Sequence, residues 1–238
     1  MTMRSQELDL SRYDTEKIPL GYLFHYDPVL APWVEKEITL LEVGVYKGAS
    51  TALWRDYFPK GIIVGIDKNL SRLTPDHDLK ERIQLFQGNQ ADTSFLAQVA
   101  RQTAPEGFDI IIDDASHDAE PTRICFWHLF DNHLRPGGLY VIEDWTTGYW
   151  DDWPDGKRVR PPSKTERLST AVFSALVYGK KRRLRSHDFG MVGFVKQLID
   201  EQGAADVTRE NYAGKPKRES KFQSMTIVPS IVFIRKRG

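Results

Sequence analysis

Two pairs of carboxylates in the sequence each end an apolar run. Asp113 and Asp114 end one run, and Glu143 and Asp144 end another. If the two runs are neighbouring strands of a parallel sheet, about 4.8 Å apart, these side chains converge at one edge. Carboxylates gathered in this way repel one another, and a hard divalent cation with oxygen ligands, Mg²⁺ or Mn²⁺, relieves that repulsion. The pattern therefore predicts a metal site, although an Asp pair at a strand end is also a common helix cap.

A histidine lies close to the first of these pairs. His117 follows Asp114 by three residues, on the loop predicted after the same strand. An imidazole in this position can accept a proton from a hydroxyl group held at the metal, which is general base catalysis. The alternative is an ordinary solvated loop histidine, but the convergence of two acidic pairs beside it favours the catalytic interpretation.

A glycine turn follows the first predicted strand. It has the pattern Glu42-x-Gly44-x-x-x-Gly48, and Asp67 ends the next apolar run. Glycines allow a tight turn and a close approach of the backbone to a ligand, while the helix that follows offers free N–H groups. An acid at the end of a second strand commonly binds the two hydroxyls of a ribose. The spacing differs from the G-x-G-x-x-G of dinucleotide-binding dehydrogenases, which disfavours that class.

The elements that must position these residues alternate between strand and helix. Nearly continuous apolar runs are typical of strands that are buried on both faces. Their alternation with helical stretches predicts βαβ units with right-handed crossovers. The last two runs are joined too tightly to be parallel, so they form a hairpin or a bulged antiparallel pair. The predicted strands are 39–43, 61–67, 82–87, 108–114, 139–144, 224–228 and 230–236, and the predicted helices are 49–57, 92–102, 120–132, 165–178 and 191–202.

This order of elements predicts an α/β fold, a Rossmann-like doubly wound sheet of seven strands with a C-terminal antiparallel hairpin. Residues 1–238 are expected to form a single domain, because no linker, internal repeat or low-complexity tract divides them. Residues 145–190 break the alternation and are rich in Trp, Pro and basic residues. We interpret them as a lid-like insertion.

Composition and charge narrow the functional class. Lys plus Arg and Asp plus Glu both number 33, and the formal net charge of zero disfavours a general nucleic-acid-binding protein. No apolar run approaches the length of a membrane span, and the polar N-terminus lacks the apolar core of a secretory signal. Cys125 is the only cysteine, which excludes an internal disulfide and a cysteine-based zinc site and indicates a buried, inert thiol. The expectation is a cytoplasmic protein without a membrane partner.

The motifs resemble those of a known enzyme family. The glycine pattern is similar to the first motif of class I S-adenosylmethionine-dependent methyltransferases, whose ligand has no pyrophosphate. The segments 111–117 and 135–144 resemble the mycinamicin and macrocin O-methyltransferase-like family, which consists of Mg²⁺-dependent sugar O-methyltransferases. The residues 15–17, with His25 and Tyr26, are similar to the N-terminal segment of that family on the substrate side, which assigns this role to residues 1–38. Further similarity covers 41–45, 55–61, 149–150, 190–193 and the closing hairpin.

The resemblance implies a role for each candidate residue. Asp114, Glu143 and Asp144 would bind the metal ion and His117 would be the general base, so that His117 and Asp114 are the catalytic residues. S-adenosylmethionine would lie against the glycine turn and the loop 88–92, and Asp92 is also predicted to cap the helix that follows. The predicted cofactor-binding residues are Glu42, Gly44, Lys47, Gly48, Ser50, Asp67, Asn89, Gln90, Asp92 and Asp113.

The implied reaction is S-adenosylmethionine- and Mg²⁺-dependent O-methylation of a sugar hydroxyl, with the metal chelating two adjacent hydroxyls. The acceptor would be a sugar-containing small molecule or an oligosaccharide, and the protein would be a homo-oligomer of two or more copies. Four aromatic residues after the fifth strand would either stack on the sugar or pack in the core. These residues are Trp145, Tyr149, Trp150 and Trp153.

Three alternatives use the same features. A catechol-type O-methyltransferase would bind an aromatic vicinal diol with the same metal, and a non-catalytic relative would bind the cofactor alone. A nucleic-acid-binding or RNA-methylating protein would use the basic run 180–183. The segment 151–185 is longer and more basic than expected for a macrolide sugar enzyme. Its basic residues either form a solvated surface or bind an anionic or extended saccharide. The presence of both acidic pairs and of His117 favours an enzyme.

Overall fold

Strands and helices alternate along most of the chain. The computed structural model describes residues 3–159, 186–211 and 213–238. The strands are β1 (Thr39–Val43), β2 (Ile62–Asp67), β3 (Ile83–Gln87), β4 (Phe108–Asp113), β5 (Leu134–Glu143), β6 (Phe222–Val228) and β7 (Ile231–Lys236). The helices are α1 (Tyr22–Leu30), α2 (Ala49–Tyr57), α3 (Thr93–Thr103), α4 (Ala119–Asn132), α5 (Pro154–Arg158), α6 (Gly190–Gln202) and α7 (Ala204–Val207).

The strands form one seven-stranded sheet in the order β3-β2-β1-β4-β5-β7-β6. The pairs among β1 to β5 are parallel, whereas β7 is antiparallel to both β5 and β6. The order reverses between β1 and β4, which creates the crevice where ligands bind in open α/β sheets. The predicted fold, including the C-terminal antiparallel hairpin, is confirmed.

Both faces of the sheet are covered, because alternate residues of each strand point to opposite sides. In β4, Ile111 packs in a cluster with residues of α3, α4 and α6. Its neighbours Ile110 and Ile112 pack in a second cluster with residues of α1 and α2. Burial on both faces explains why the central strands have continuous apolar runs.

Most predicted element ends agree with the structure to within two residues. Asp92 caps α3 as expected, since its Oδ1 accepts hydrogen bonds of 3.0 Å from the backbone N–H groups of Ser94 and Phe95. The main difference is β5, which begins at Leu134 rather than at residue 139. Leu134 pairs with Phe108 before a register shift, so the residues 135–138 form an irregularity within the strand.

Some predictions fall on residues outside the described ranges. The predicted helix 165–178 and the basic run 180–183 both lie there, as does much of the predicted insertion 145–190. Within the described residues, no helix combines the length and the apolar character that a membrane crossing requires. Cys125 is buried, as predicted.

Candidate active site

A cavity of about 780 Å³ opens at the carboxyl ends of the parallel strands. The ends of β1, β2, β4 and β5 form its floor, and the N-terminal segment 13–20 forms one wall. This is the edge at which open α/β sheets bind ligands. The predicted acidic pairs and the glycine turn therefore belong to one site.

Gly44 lies where β1 approaches the end of β4. Its φ angle is +102°, and a Cβ atom at this position would lie 2.1 Å from the carbonyl oxygen of Asp114. Only glycine fits this backbone conformation and this contact. The close approach that the sequence pattern predicts is thus made to Asp114 of the protein itself, and it places the glycine turn directly beside the acidic residues.

Glu42 does not face the cavity, contrary to the prediction for the cofactor site. Its side chain is fully buried, and it accepts a 3.0 Å hydrogen bond from Trp54 Nε1 and another from the Thr51 hydroxyl. Burial raises the pKa of this carboxyl group. Because Thr51 and Trp54 both belong to α2, these hydrogen bonds connect α2 to β1 and stabilise the glycine turn between them.

Asp67 lines the cavity at the end of β2. Its Oδ2 accepts hydrogen bonds from the backbone N–H groups of Val45 at 3.1 Å and Tyr46 at 2.9 Å, and Oδ1 accepts one from Asn69 at 2.8 Å. These bonds fix the carboxylate against the glycine turn. Of the predicted cofactor residues, six reach the cavity wall, namely Gly44, Lys47, Ser50, Asp67, Asn89 and Gln90, and four do not, namely Glu42, Gly48, Asp92 and Asp113.

Asp113 is a buried support of the site. The Tyr140 hydroxyl lies 3.2 Å from its Oδ2, and Gln90 Nε2 lies 3.4 Å from its Oδ1. Burial is the main reason that the pKa of Asp113 is raised to about 7. Gln90 in turn accepts a 3.1 Å hydrogen bond from the backbone N–H of Ser116. Asp113 therefore connects β4 to the loop that precedes His117.

Asp114, His117 and Asp144 come together at the cavity. His117 Nε2 lies 3.6 Å from Asp114 Oδ1 and 3.8 Å from Asp144 Oδ2. Among the described residues these three side chains form a group whose donor atoms all lie within 4.8 Å of one another. Two carboxylates beside the cavity suit a hard divalent cation, and an imidazole next to them suits proton transfer. The structure thus brings together the two predicted catalytic residues and one further predicted metal ligand.

Strained backbone accompanies this group. Five of the described non-glycine residues have a positive φ, and three of them line the cavity. These are Tyr46 at +51°, His117 at +50° and Asp144 at +54°. Each such conformation costs about 1–3 kcal/mol and persists only where the surrounding structure holds it. The concentration of strain here supports a functional role for the cavity.

Glu143 lines the same cavity but is not part of this group, and it is paired with a residue outside the predicted set. Lys17 Nζ lies 2.7 Å from Glu143 Oε2 and 2.5 Å from Asp114 Oδ2, and only 3% of the lysine is exposed. The Tyr26 hydroxyl donates a 2.5 Å hydrogen bond to Glu143 Oε1. The repulsion predicted among the carboxylates is therefore balanced in part by a cation of the protein itself.

The pKa values of this pair reflect both burial and charge. Burial raises the pKa of Glu143 to about 8, with the charge of Asp114 contributing and Lys17 opposing. Burial lowers the pKa of Lys17, but the charges of Asp114 and Glu143 outweigh that effect and raise it. The ammonium of Lys17 is thus held in its charged form. The Tyr22 hydroxyl, from the same N-terminal part of the chain as Lys17, donates a hydrogen bond to Asp144 Oδ1.

The predicted aromatic residues divide into two groups. Trp153 lines the cavity, with its ring centroid 6.0 Å from that of His117. Trp150 is 51% exposed and packs edge-on against Trp153. Trp145 and Tyr149 instead pack against each other, with ring centroids 6.1 Å apart. Of the four, Trp153 is in a position to contact a ligand beside His117.

Comparison with known families is consistent with this geometry. Residues 41–145 match the family model described as a methyltransferase domain. This segment is a methyltransferase domain. It contains the glycine turn, the three grouped residues and Glu143, whereas Lys17, Tyr22 and Tyr26 lie before it.

Similar proteins include enzymes that methylate glycosylated natural products. The chain is 42% identical to mycinamicin VI 2''-O-methyltransferase of Micromonospora griseorubida over 59% of its length and 36% of that protein. It is 36% identical to 8-demethyl-8-(2-methoxy-alpha-L-rhamnosyl)-tetracenomycin-C 3'-O-methyltransferase of Streptomyces olivaceus over 65% of its length and 40% of that protein. The chain thus spans less than half the length of these two curated relatives.

A solved structure resembles nearly the whole chain. The methyltransferase MycE of the mycinamycin biosynthetic pathway, in complex with Mg, SAH and mycinamycin VI, matches 97% of this chain and 54% of its own. The TM-score is 0.68 and the sequence identity is 30%. The methyltransferase domain and the N-terminal segment before it therefore share one arrangement with that protein.

Proposed function

We propose that this protein is an S-adenosylmethionine- and Mg²⁺-dependent O-methyltransferase that acts on a sugar hydroxyl of a glycosylated small molecule. The observation that carries the proposal is the grouping of Asp114, His117 and Asp144 at the cavity of a methyltransferase domain. The names of the two curated relatives support the acceptor class, since both are O-methyltransferases of glycosylated compounds. The complex of MycE with Mg and SAH supports the cofactors.

The residues that would hold the cofactors follow from the cavity wall. Gly44, Asp67, Asn89 and Gln90 would contact S-adenosylmethionine, which supplies an electrophilic methyl group. Asp114 and Asp144, with Glu143 as the third predicted ligand, would hold Mg²⁺. When bound, the metal ion lowers the pKa of a sugar hydroxyl. The oxygen-rich donor set fits this ion, since Mg²⁺ prefers carboxylate ligands to nitrogen.

The protein's own groups carry the proton transfer and the positioning. His117 Nε2, which lies 3.6 Å from Asp114 Oδ1 and 3.8 Å from Asp144 Oδ2, would accept the hydroxyl proton. The Trp153 ring beside His117 would limit where the sugar lies. Holding the hydroxyl oxygen in line with the methyl group removes much of the entropic cost of the reaction.

The proposal is tested by calorimetry on protein stripped with EDTA. S-adenosylmethionine and then MgCl₂ are titrated into the wild type, into Asp114→Ala and into the control Asp206→Ala, which removes a surface aspartate paired with Arg209. We expect both ligands to bind to the wild type and the control, and Mg²⁺ affinity to fall at least tenfold in Asp114→Ala. Methyl transfer to rhamnosyl acceptors, compared with catechols, then identifies the acceptor class.

Each outcome has a clear meaning. Cofactor binding without a metal site would contradict the metal-assisted mechanism and keep the methyltransferase assignment. No binding of S-adenosylmethionine would contradict the whole proposal. Transfer to catechols alone would replace the sugar acceptor by an aromatic diol.

A further inference from the structure

Lys17 comes from the N-terminal segment and reaches the centre of the acidic site. It is 97 residues from Asp114 in sequence and lies before the methyltransferase domain of residues 41–145. Its ammonium is buried between Asp114 Oδ2 and Glu143 Oε2, at 2.5 and 2.7 Å. The proposed reaction has no use for a lysine at this place, so the contact needs an explanation of its own.

A second cation at the same two oxygens would lie close to the ammonium of Lys17. A Mg²⁺ ion lies about 2.1 Å from each carboxylate oxygen that it binds. An ion bound to both Asp114 Oδ2 and Glu143 Oε2 would therefore lie no more than about 4.6 Å from Lys17 Nζ. Two positive charges at that separation would also repel each other strongly in a buried site.

Lys17 is connected to other parts of the cavity wall. Its backbone carbonyl accepts a 2.9 Å hydrogen bond from the N–H of Tyr22, and the Tyr22 hydroxyl binds Asp144. Residues 13–20 line the cavity on either side of the lysine. A displacement of the Lys17 side chain would therefore disturb this segment of the cavity wall.

We propose that Lys17 and the divalent cation compete for Asp114 and Glu143, so that metal binding releases Lys17 from the carboxylates. Lys17 is then a positioning residue. It neutralises the acidic site when no metal is bound. When a metal ion binds, the release of Lys17 changes the contacts of the cavity wall formed by residues 13–20. This inference rests on the proposed function, because it takes Asp114 and Glu143 as ligands of the ion.

The first test measures the chemical reactivity of Lys17 in the wild-type protein. An acetylating N-hydroxysuccinimide ester modifies lysine amines in proportion to their accessibility, and mass spectrometry reports each site. Saturating MgCl₂ should increase the acetylation rate of Lys17 at least fivefold. Lys60, which is exposed on the surface beside Glu35, is the internal control and should not change. An unchanged or slower rate at Lys17, with Mg²⁺ binding shown by calorimetry, would overturn the proposal.

The second test compares Mg²⁺ affinity in Lys17→Met with that in the matched control Lys60→Met. Removal of the competing ammonium should tighten Mg²⁺ binding at least threefold, and the control should equal the wild type. Equal or weaker binding in Lys17→Met would contradict competition. If this variant does not fold, the acetylation experiment decides the matter.

The outcomes also separate this inference from the proposed function. Mg²⁺ binding to the wild type, with neither result expected for Lys17, overturns competition alone and leaves the metal site intact. Absence of Mg²⁺ binding in every variant overturns both the competition and the metal-assisted mechanism. Binding of S-adenosylmethionine is measured in the same samples and reports on the methyltransferase assignment by itself.

Discussion

The carboxylates of the cavity and the carboxylate of Glu201 have opposite surroundings. Glu201, at the end of α6, is paired with the guanidinium group of Arg218. Arg218 Nη1 lies 2.8 Å from Glu201 Oε1 and Nη2 lies 2.5 Å from Oε2, and the Lys221 N–H donates a 2.9 Å hydrogen bond to Oε1. Burial raises its pKa, but the hydrogen bonds from Arg218 outweigh this and lower it. In the cavity, by contrast, Asp114 and Glu143 share the single ammonium of Lys17.

The difference separates a structural carboxylate from those to which we assign a function in the proposal. Glu201 has a complete set of opposite charge and donors, so no further ligand is needed to stabilise it. Negative charge exceeds positive charge at the cavity, and Asp114 and Asp144 each keep an oxygen close to His117. An excess of like charge at a strand edge indicates a place where a cation or a proton is to be bound.

The largest expected effect follows from His117. Asparagine tolerates the left-handed backbone at φ +50°, so His117→Asn removes the imidazole without adding strain. We expect kcat to fall by about 100-fold or more, with the affinity for S-adenosylmethionine unchanged. His128→Asn on α4 is the control and should keep the wild-type kcat. Steady-state kinetics with a sugar acceptor provide the measurement, and a change smaller than threefold would remove His117 from the role of base.

Glu201 should show the opposite behaviour, with an effect on stability and none on catalysis. Its pKa is lower in the folded than in the unfolded state, so its stabilisation is present above the unfolded pKa of about 4.3 and is lost as the pH falls through the folded pKa. Glu201→Gln should lower the free energy of unfolding by about 1–2 kcal/mol at pH 7, a modest value because Arg218 is half exposed.

The measurement is urea denaturation at pH 7 and at pH 3.5, with Glu219→Gln as the control for an exposed ion pair. The difference between Glu201→Gln and the wild type should shrink at the lower pH. A difference that persists unchanged there would mean that shape, rather than charge, makes this contact stabilising.

The smallest expected effect concerns Asp92, which the sequence assigns both to a helix cap and to the cofactor. The structure shows the cap, with Asp92 outside the cavity wall. Asp92→Ala should therefore lower the melting temperature by about 2–4 °C, while Asp92→Ser, which retains a capping oxygen, should restore most of it. Calorimetry should show unchanged affinity for S-adenosylmethionine in both variants. A tenfold loss in Asp92→Ser would place Asp92 in the cofactor site after all.

The sequence predicts the fold well because the relevant signals are local. Runs such as Ile110–Ile112 identify buried strands, and the short link before Ile231 requires an antiparallel hairpin. The same local signals fail to say which acids face the cavity. Asp113 and Asp67 both end their strands, yet Asp113 is buried in the core with Glu42, whereas Asp67 lines the cavity.

Lys17 shows why spacing alone could not predict the rest of the site, although the family resemblance places residues 15–17 and Tyr26 on the substrate side. A residue 97 positions before Asp114 has no spacing that connects it to the acidic pairs. The repulsion among carboxylates predicts that some cation is present, but the sequence does not say whether that cation is a metal ion or a lysine. Only the folded position of the N-terminal segment, with Tyr22 and Tyr26 beside Lys17, distinguishes the two.

The bridge from Lys17 to two strands also has an evolutionary consequence. A mutation at position 17 alters the balance of charge at positions 114 and 143 at once, so the three positions are not free to drift separately. Relatives that lose the lysine are expected to gain another basic group nearby, because the acids at 114 and 143 are also the proposed ligands of the metal ion. The inheritance of the segment before residue 41 is therefore tied to that of the catalytic domain.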